Sequence, residues 1–243
     1  NKIKFLYSNR DEFWFSEEHD QSKRFSLPAE ILGNQTRFLK QNMLIDGNDD
    51  RGIDVGVLSK YEIGKIRTHI HDTFKGKNKK DYPIFSRDCA HYEIKISKTK
   101  SIHLLCNHFK SKGYGNPADN DAKRLRQSER VVEILKEFNL KKDFVVVAGD
   151  FNDTPDSKPL APIVNMKDLF SVIDKVEGDK GTYQHGKDTI DNIFVSKALW
   201  DRLEHAEIER RGIFHKKKEH FDTVTGPENQ ASDHAAVWAE FDI

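Results

Sequence analysis

Four apolar residues in a row, Val145–Ala148, run directly into Gly149, Asp150, Phe151 and Asn152. An unbroken apolar run suits a strand covered on both faces, so the chain must build layers around it. The stretch before it reads as a helix. Within Asp119–Phe138, Leu125, Val131, Val132, Leu135 and Phe138 fall at helical spacings, and Gly115 and Pro117 mark the approach. Upstream of that, Ile102–His108 has strand length and pattern. Strand, helix and strand in this order form the crossover unit of layered α/β folds.

Short apolar or alternating runs recur at Ile53–Leu58, Cys89–Ile96, Ile190–Ser196 and Ala235–Phe241, so a sheet-rich core is expected. Lys2–Asn9 also reads as a strand and Leu27–Gln41 as a helix. Phe74–Pro83 and Gly212–Gln230 combine charge with Gly or Pro and read as loops. By length the 243 residues, 36% of them hydrophobic, suit one large α/β domain or two small ones; a single domain over residues 1–243 is the expectation.

Lys and Arg number 40, as do Asp and Glu. No global field therefore draws the protein to nucleic acid or an anionic surface, and only local basic patches remain. No run approaches the ~20 apolar residues of a membrane span. Asn1–Phe15 lacks the apolar core and small-residue cleavage site of a signal peptide. Cys89 and Cys106 give neither a disulfide framework nor a zinc pattern, and read as small buried hydrophobes.

If the backbone stays extended past Val145–Ala148, Asp150 and Asn152 project to one side, with Asp153 and Thr154 starting a turn. An Asp/Asn turn at a strand end is common, and alone it signifies little. Three further stretches add to it. Asn107, His108 and Lys110 end one strand, Asp191 lies inside another apolar run, and Asp233–His234 precede a third. Each has an ordinary structural reading; their co-occurrence points to a site. A histidine titrates near neutrality, and a carboxylate on its second nitrogen fixes tautomer and charge.

In this order, GDFND, IDNIFVS and SDHAAV resemble the endonuclease/exonuclease/phosphatase superfamily, the deoxyribonuclease I-like fold; NHFKSKGYG and RGIDVGVLS look like its upstream elements. The resemblance runs from about Leu44 to Ile243. It implies a four-layer α/β/β/α sandwich with the site at one end, and divalent-metal-dependent hydrolysis of a phosphoester. By motif match, His234 is the general base or stabilises the attacked phosphate, oriented by Asp191. Asp150 aligns or deprotonates the attacking water beside Asn152, and His108 binds a non-bridging phosphate oxygen. Asp233 contributes to the metal site. Arg51, Arg87 and Lys110 match substrate-side positions, although surface ion pairs with neighbouring acids explain the arginines equally well.

The metal implied is Mg²⁺, or Mn²⁺, because oxygen ligands predominate and no H-E-x-x-H occurs. The resemblance also calls for a strand ending in Asn and another ending in Gln-Glu. Asn9 and Glu30 are the candidates, but no Gln-Glu dipeptide occurs in the chain, so the N-terminal strands are expected to be diverged or incomplete. The function expected is a nuclease acting on nucleic acid as a monomer. The alternatives are a phosphatase of an inositol phosphate, phospholipid headgroup or nucleotide, and a non-catalytic relative that binds phosphate ligands.

Overall fold

The computed structural model describes residues 2–7, 41–185, 187–216 and 219–243. In chain order the strands are β1 Lys2–Tyr7, β2 Gln41–Ile45, β3 Val55–Ser59, β4 Glu62–Arg67, β5 Thr73–Lys75, β6 Asp81–Pro83, β7 Cys89–Lys95 and β8 Ser101–His108. Helix α1, Pro117–Leu135, follows, and then β9 Phe144–Asp150, β10 Leu169–Ser171, β11 Asp191–Ser196, β12 Leu203–Glu209 and β13 Ala236–Asp242. All seven expected strands form, Lys2–Asn9 as β1 over Lys2–Tyr7, and the helix expected at Asp119–Phe138 forms as α1. Strands β8 and β9 pair in parallel across α1, which is the crossover unit read from the pattern.

A six-stranded mixed sheet, ordered β10-β11-β9-β8-β7-β4, forms the centre. Its two faces are separated by the period of two along each strand. Val145 and Val147 join Leu105, Phe194 and the α1 residues Val131, Ile134 and Leu135 in one core. Val146 and Ala148 join Ile102, Leu104, Ile193 and Val195 in the other, packed against Val237, Ala239 and Phe241 of the three-stranded sheet β1-β13-β12. The uninterrupted apolar run of β9 is the imprint of these two cores. The architecture is the layered α/β sandwich of deoxyribonuclease I-like proteins, with α1 covering the outer face of the six-stranded sheet. The expected helix at Leu27–Gln41 lies outside the described residues except for Gln41, which opens β2.

The loop expected at Phe74–Pro83 is instead held as a small hairpin, β5 with β6, in which Thr73 opposes Pro83 and Phe74 opposes Tyr82. Arg126 of α1 stacks over Phe74, 4.0 Å from the ring centroid. Local pairing and one stacked cation order a segment that carries no apolar periodicity.

Helix α1 is capped by Asn116, whose Oδ1 accepts from Ala118 N at 2.9 Å, with Pro117 entering the first turn. Its buried face is only partly apolar. Asn120, Arg124 and Gln127 are buried at helical spacing, and each bonds to the loop that follows β8. Arg124 donates to Lys110 O at 2.9 Å and to Asp153 Oδ2 at 3.0 Å, and pairs with Asp121. Gln127 Oε1 accepts from Lys110 N at 2.9 Å. The helix therefore ties the loop after β8 to the loop after β9.

Two substitutions test this frame. A Cβ at Gly149 would lie 2.0 Å from Asn107 O on the neighbouring strand, so Gly149→Ala is expected to destabilise by at least about 1–3 kcal/mol. Removing Arg124 leaves the buried Asp153 with Lys112, 2.9 Å away, and the Thr154 N–H at 3.1 Å, and Arg124→Ala should cost about 3–5 kcal/mol. Urea unfolding measures both, and a loss below about 0.5 kcal/mol in either would contradict the corresponding contact.

Candidate active site

The inter-sheet core ends in polar residues. In β8, Ile102, Leu104 and Cys106 alternate towards that core, and the next residue in the series is His108. The same step leads from Val146 and Ala148 to Asp150, and back from Val195 and Ile193 to Asp191. Pairing aligns the three ends, because His108 opposes Asp150 in the parallel pair and Asp191 opposes Asp150 in the antiparallel pair. Three side chains on neighbouring strands thus share one face and one level.

The fourth member comes from the other sheet. His234, just before β13, places Nδ1 2.9 Å from Asp191 Oδ2. A short strap fixes it there: Ala235 N donates to Thr182 O at 2.7 Å, and Gln184 N donates to Asp233 O at 2.8 Å. The Thr182 hydroxyl accepts from Ile190 N at 3.0 Å and Asp191 N at 3.1 Å. One threonine therefore holds the backbone beside both partners of the His234–Asp191 pair. The Tyr183 ring packs 4.9 Å from that of His234. Thr182 and Tyr183 were not singled out in the sequence, where the Gly181–Gln184 segment shows neither periodicity nor a charged group.

Asn152 reaches Asp150 by a route other than the expected one. The chain turns at Asn152, whose φ is 51°. Its backbone N donates to Asp150 Oδ1 at 2.7 Å, and Nδ2 donates to Asp150 Oδ2 at 3.0 Å and to Phe109 O at 3.1 Å. A left-handed turn, which Asn tolerates well, brings the amide back onto the carboxylate where an extended strand would have carried it past. Asp191, expected inside its strand, is the first residue of it. His108 Nε2 lies 3.5 Å from Asp150 Oδ2.

Burial and charge set the protonation states. Burial pushes the Asp150 carboxyl up, and the charge of Asp191 adds to this, while His234 and the Asn152 amide pull against it. Burial likewise raises Asp191 against the hydrogen bond and charge of His234. Burial works against an imidazolium at His234, but the bond to Asp191 and the charges of Asp191, Asp150 and Asp233 outweigh it and push His234 up to about 9. His108 has no such partner, and burial, then Arg87 and His234, hold it down to about 3. The site pairs one charged with one neutral imidazole.

Ligand atoms of Asp150, Asp191 and His234 all lie within 4.8 Å of one another. Two buried carboxylates this close disfavour each other's ionisation, and a divalent cation relieves that. The donor set is rich in oxygen and holds no thiolate, which fits a hard ion such as Mg²⁺. Asp233 is outside this group of three, although its charge acts on both Asp191 and His234. Asn9 and Glu30 lie outside the described residues.

The substrate-side candidates divide. Arg51 and Arg87 converge on Asp49, through Arg51 Nε at 3.1 Å and Arg87 Nε at 2.7 Å. Arg87 is buried and also donates to Phe109 O at 3.1 Å, so its ion pair is an interior one. Arg51 is half exposed at the rim. Lys110 is not turned to the row of site residues in this way: its Nζ donates to Gly113 O at 2.8 Å and to Ser111 O and Tyr114 O at 3.1 Å, closing its own loop.

A family model described as Endonuclease/Exonuclease/phosphatase family matches residues 35–227. No curated protein matches the chain. Among solved structures, a mutant beta toxin from Staphylococcus aureus with bound magnesium ions is 18% identical, with a TM-score of 0.58 over 88% of this chain and 81% of that one. TDP2 from D. rerio, complexed with single strand DNA product, is 16% identical, with a TM-score of 0.55 over 88% and 81%. An endonuclease/exonuclease/phosphatase family protein from Leptotrichia buccalis is 16% identical, with a TM-score of 0.58 over 99% and 85%. At these identities the likeness is one of fold, and the family match carries the assignment: this chain belongs to the endonuclease/exonuclease/phosphatase family.

Proposed function

We propose that the chain is a divalent-metal-dependent nuclease that hydrolyses phosphodiester bonds of nucleic acid, working as one domain over residues 1–243. The observation that carries this reading is the Asp191–His234 pair at 2.9 Å facing Asp150 and His108 at the polar end of the inter-sheet core. A buried carboxylate, a charged imidazole and a neutral imidazole are the groups that water attack on a phosphodiester requires.

In this scheme Asp150, kept in place by both Asn152 donors, orients the water and takes its proton as oxygen bonds to phosphorus. His234, with Nδ1 held by Asp191, turns its other nitrogen to a non-bridging oxygen and offsets the charge gathering there. His108 donates a second hydrogen bond to the phosphate. The bond to the leaving oxygen then breaks on the side away from the water, and that oxygen departs as an oxyanion that takes up a proton from solvent. Asp150, one of the three residues whose ligand atoms lie within 4.8 Å of one another, would hold the metal, with Asp233 contributing as the motif match implies; when bound it would supply positive charge to the phosphoryl oxygens and the leaving group.

The loop after β8 carries Lys110 and Lys112 and no acid between His108 and Asn116, which favours nucleic acid over a small phosphate ester. Arg51, Lys112 and Lys123 border the same segments as Arg87 and Asp153, and solved TDP2, which shares the fold, is complexed with single strand DNA product. A phosphatase of small substrates remains the second reading.

Plasmid and oligonucleotide cleavage with Mg²⁺ or Mn²⁺ tests the proposal. The expected outcome is metal-dependent cutting that EDTA abolishes and that His234→Ala and Asp150→Ala each reduce by about 10²–10⁴-fold. Release of phosphate from small esters without strand cleavage would move the assignment to the phosphatase.

The His234–Asp191 pair has its own signature. In metal-free protein, NMR should show His234 titrating near 9, and Asp191→Asn should bring it below 7, about the ordinary value for histidine. Folding raises this pKa above its unfolded value, so the pair's stabilisation is complete below the unfolded pKa. It is lost as the pH rises through 9. An imidazole that titrates near 6.5 in the wild type would contradict the pairing.

A further inference from the structure

Tyr114 is 85% exposed, whereas the next most exposed large apolar or aromatic side chain among the described residues, Tyr82, is 40% exposed. Its backbone is at φ 58°, followed by Gly115 at φ 104°. A bulky L residue rarely adopts that conformation, and where it does the surroundings enforce it. They do so here. Asn120 Nδ2 donates to Lys112 O at 3.2 Å and to Gly113 O and Tyr114 O at 3.4 Å, and Lys110 Nζ closes the loop from its other side. Helix α1 and Lys110 thus fasten the backbone of residues 110–115 while the Tyr114 ring stands in solvent.

The ring is not isolated. The Arg51 guanidinium carbon lies 5.8 Å from its centroid, and Asp49 anchors that same guanidinium beside Arg87. The loop starts directly after His108 and Phe109, and the charge of Arg51 is one of those that act on His108. A flat aromatic face and a planar cation therefore stand together on the rim next to the phosphate-binding histidine. Their backbones are ordered before any ligand arrives.

We infer that Tyr114 and Arg51 form a stacking platform for one nucleobase of the strand being cut, adjacent to the scissile phosphate. The inference rests on the nuclease reading and adds a base-contacting subsite to it. Every nucleobase has a π-face, so such a platform is tolerant of sequence and favours unpaired strands. Arg51, whose guanidinium lies over the Tyr114 ring, contributes its charge to the neighbouring phosphate.

The test compares cleavage of a single-stranded DNA oligonucleotide with cleavage of a strand of the same length built from abasic deoxyribose phosphates. On the normal strand, Tyr114→Ala should lose about ten-fold in kcat/KM, carried mainly by KM, and Tyr114→Trp should retain the wild-type value. On the abasic strand, wild type and Tyr114→Ala should cut alike. Tyr114→Gly, which relieves the left-handed backbone, should lose as much as Tyr114→Ala, separating loss of the ring from loss of the loop. Equal loss on both strands, or recovery in Tyr114→Gly, would overturn the platform. So would unchanged cleavage by Tyr114→Ala. Failure of the wild type to cut either strand while it still cuts plasmid would overturn the platform alone, and failure on plasmid as well would overturn the nuclease reading and the platform with it.

Discussion

The register of β8, β9 and β11 is the constraint on which the site depends. Because side chains alternate with period two, a one-residue slip of β9 against either neighbour would send Asp150 to the helix side of the sheet. The two cores prevent that slip. Val145 and Val147 are committed to α1, and Val146 and Ala148 to the space between the sheets, so apolar packing along the strand decides where the carboxylate at its tip points. Burial between the sheets and placement of His108, Asp150 and Asp191 are one structural fact. The site lies where the inter-sheet core gives way to polar side chains.

Bringing two carboxylates to adjacent strand ends raises an electrostatic problem that the surroundings answer unequally. Asp191 has a direct partner in His234, held by the Thr182 strap. Asp150 receives an amide, a backbone N–H and a distant imidazole, which stabilise its ionised form less than a full cation would. This asymmetry separates an acid that orients a histidine from one that is available to water or metal. Three residues further on, Asp153 is neutralised by Arg124 and Lys112, which ties it to the scaffold. Among Asp150, Asp153 and Asp191, the partner distinguishes one acid from another.

What could be read from the sequence follows the same division. Strands β3, β7, β8, β9, β11 and β13 were legible because both or one of their faces enter a core. Strands β4 and β12 were not, since Glu62–Arg67 has mostly exposed side chains and Leu203–Glu209 buries only Ala206 and Ile208. The motif residues Asp150, Asp191 and His234 were legible as types in an order, and pairing brought them together. The turn at Asn152 was missed because alternation holds only while the strand lasts. The buried stripe Asn120, Arg124 and Gln127 was missed for a different reason. A charged or amide side chain on a helix is ordinarily solvated, and the backbone groups that hold these three belong to a loop whose path the helix pattern does not encode.

Chemistry and recognition are therefore supported by separate parts of the molecule. Strand register sets the reacting groups, and a change in the loops leaves that register intact. The loops at Asp49–Arg51 and Lys110–Gly115 are fixed by side-chain bonds of their own, one set centred on the Asp49 carboxylate and the other on α1. A loop anchored in this way can change its exposed residues while its backbone stays in place, because its anchors point inward. Tyr114 is such an exposed position, and Asn120 beneath it is such an anchor. In a family whose fold hosts more than one phosphoester substrate, that arrangement lets the rim vary without disturbing the strand-end row proposed to carry the chemistry.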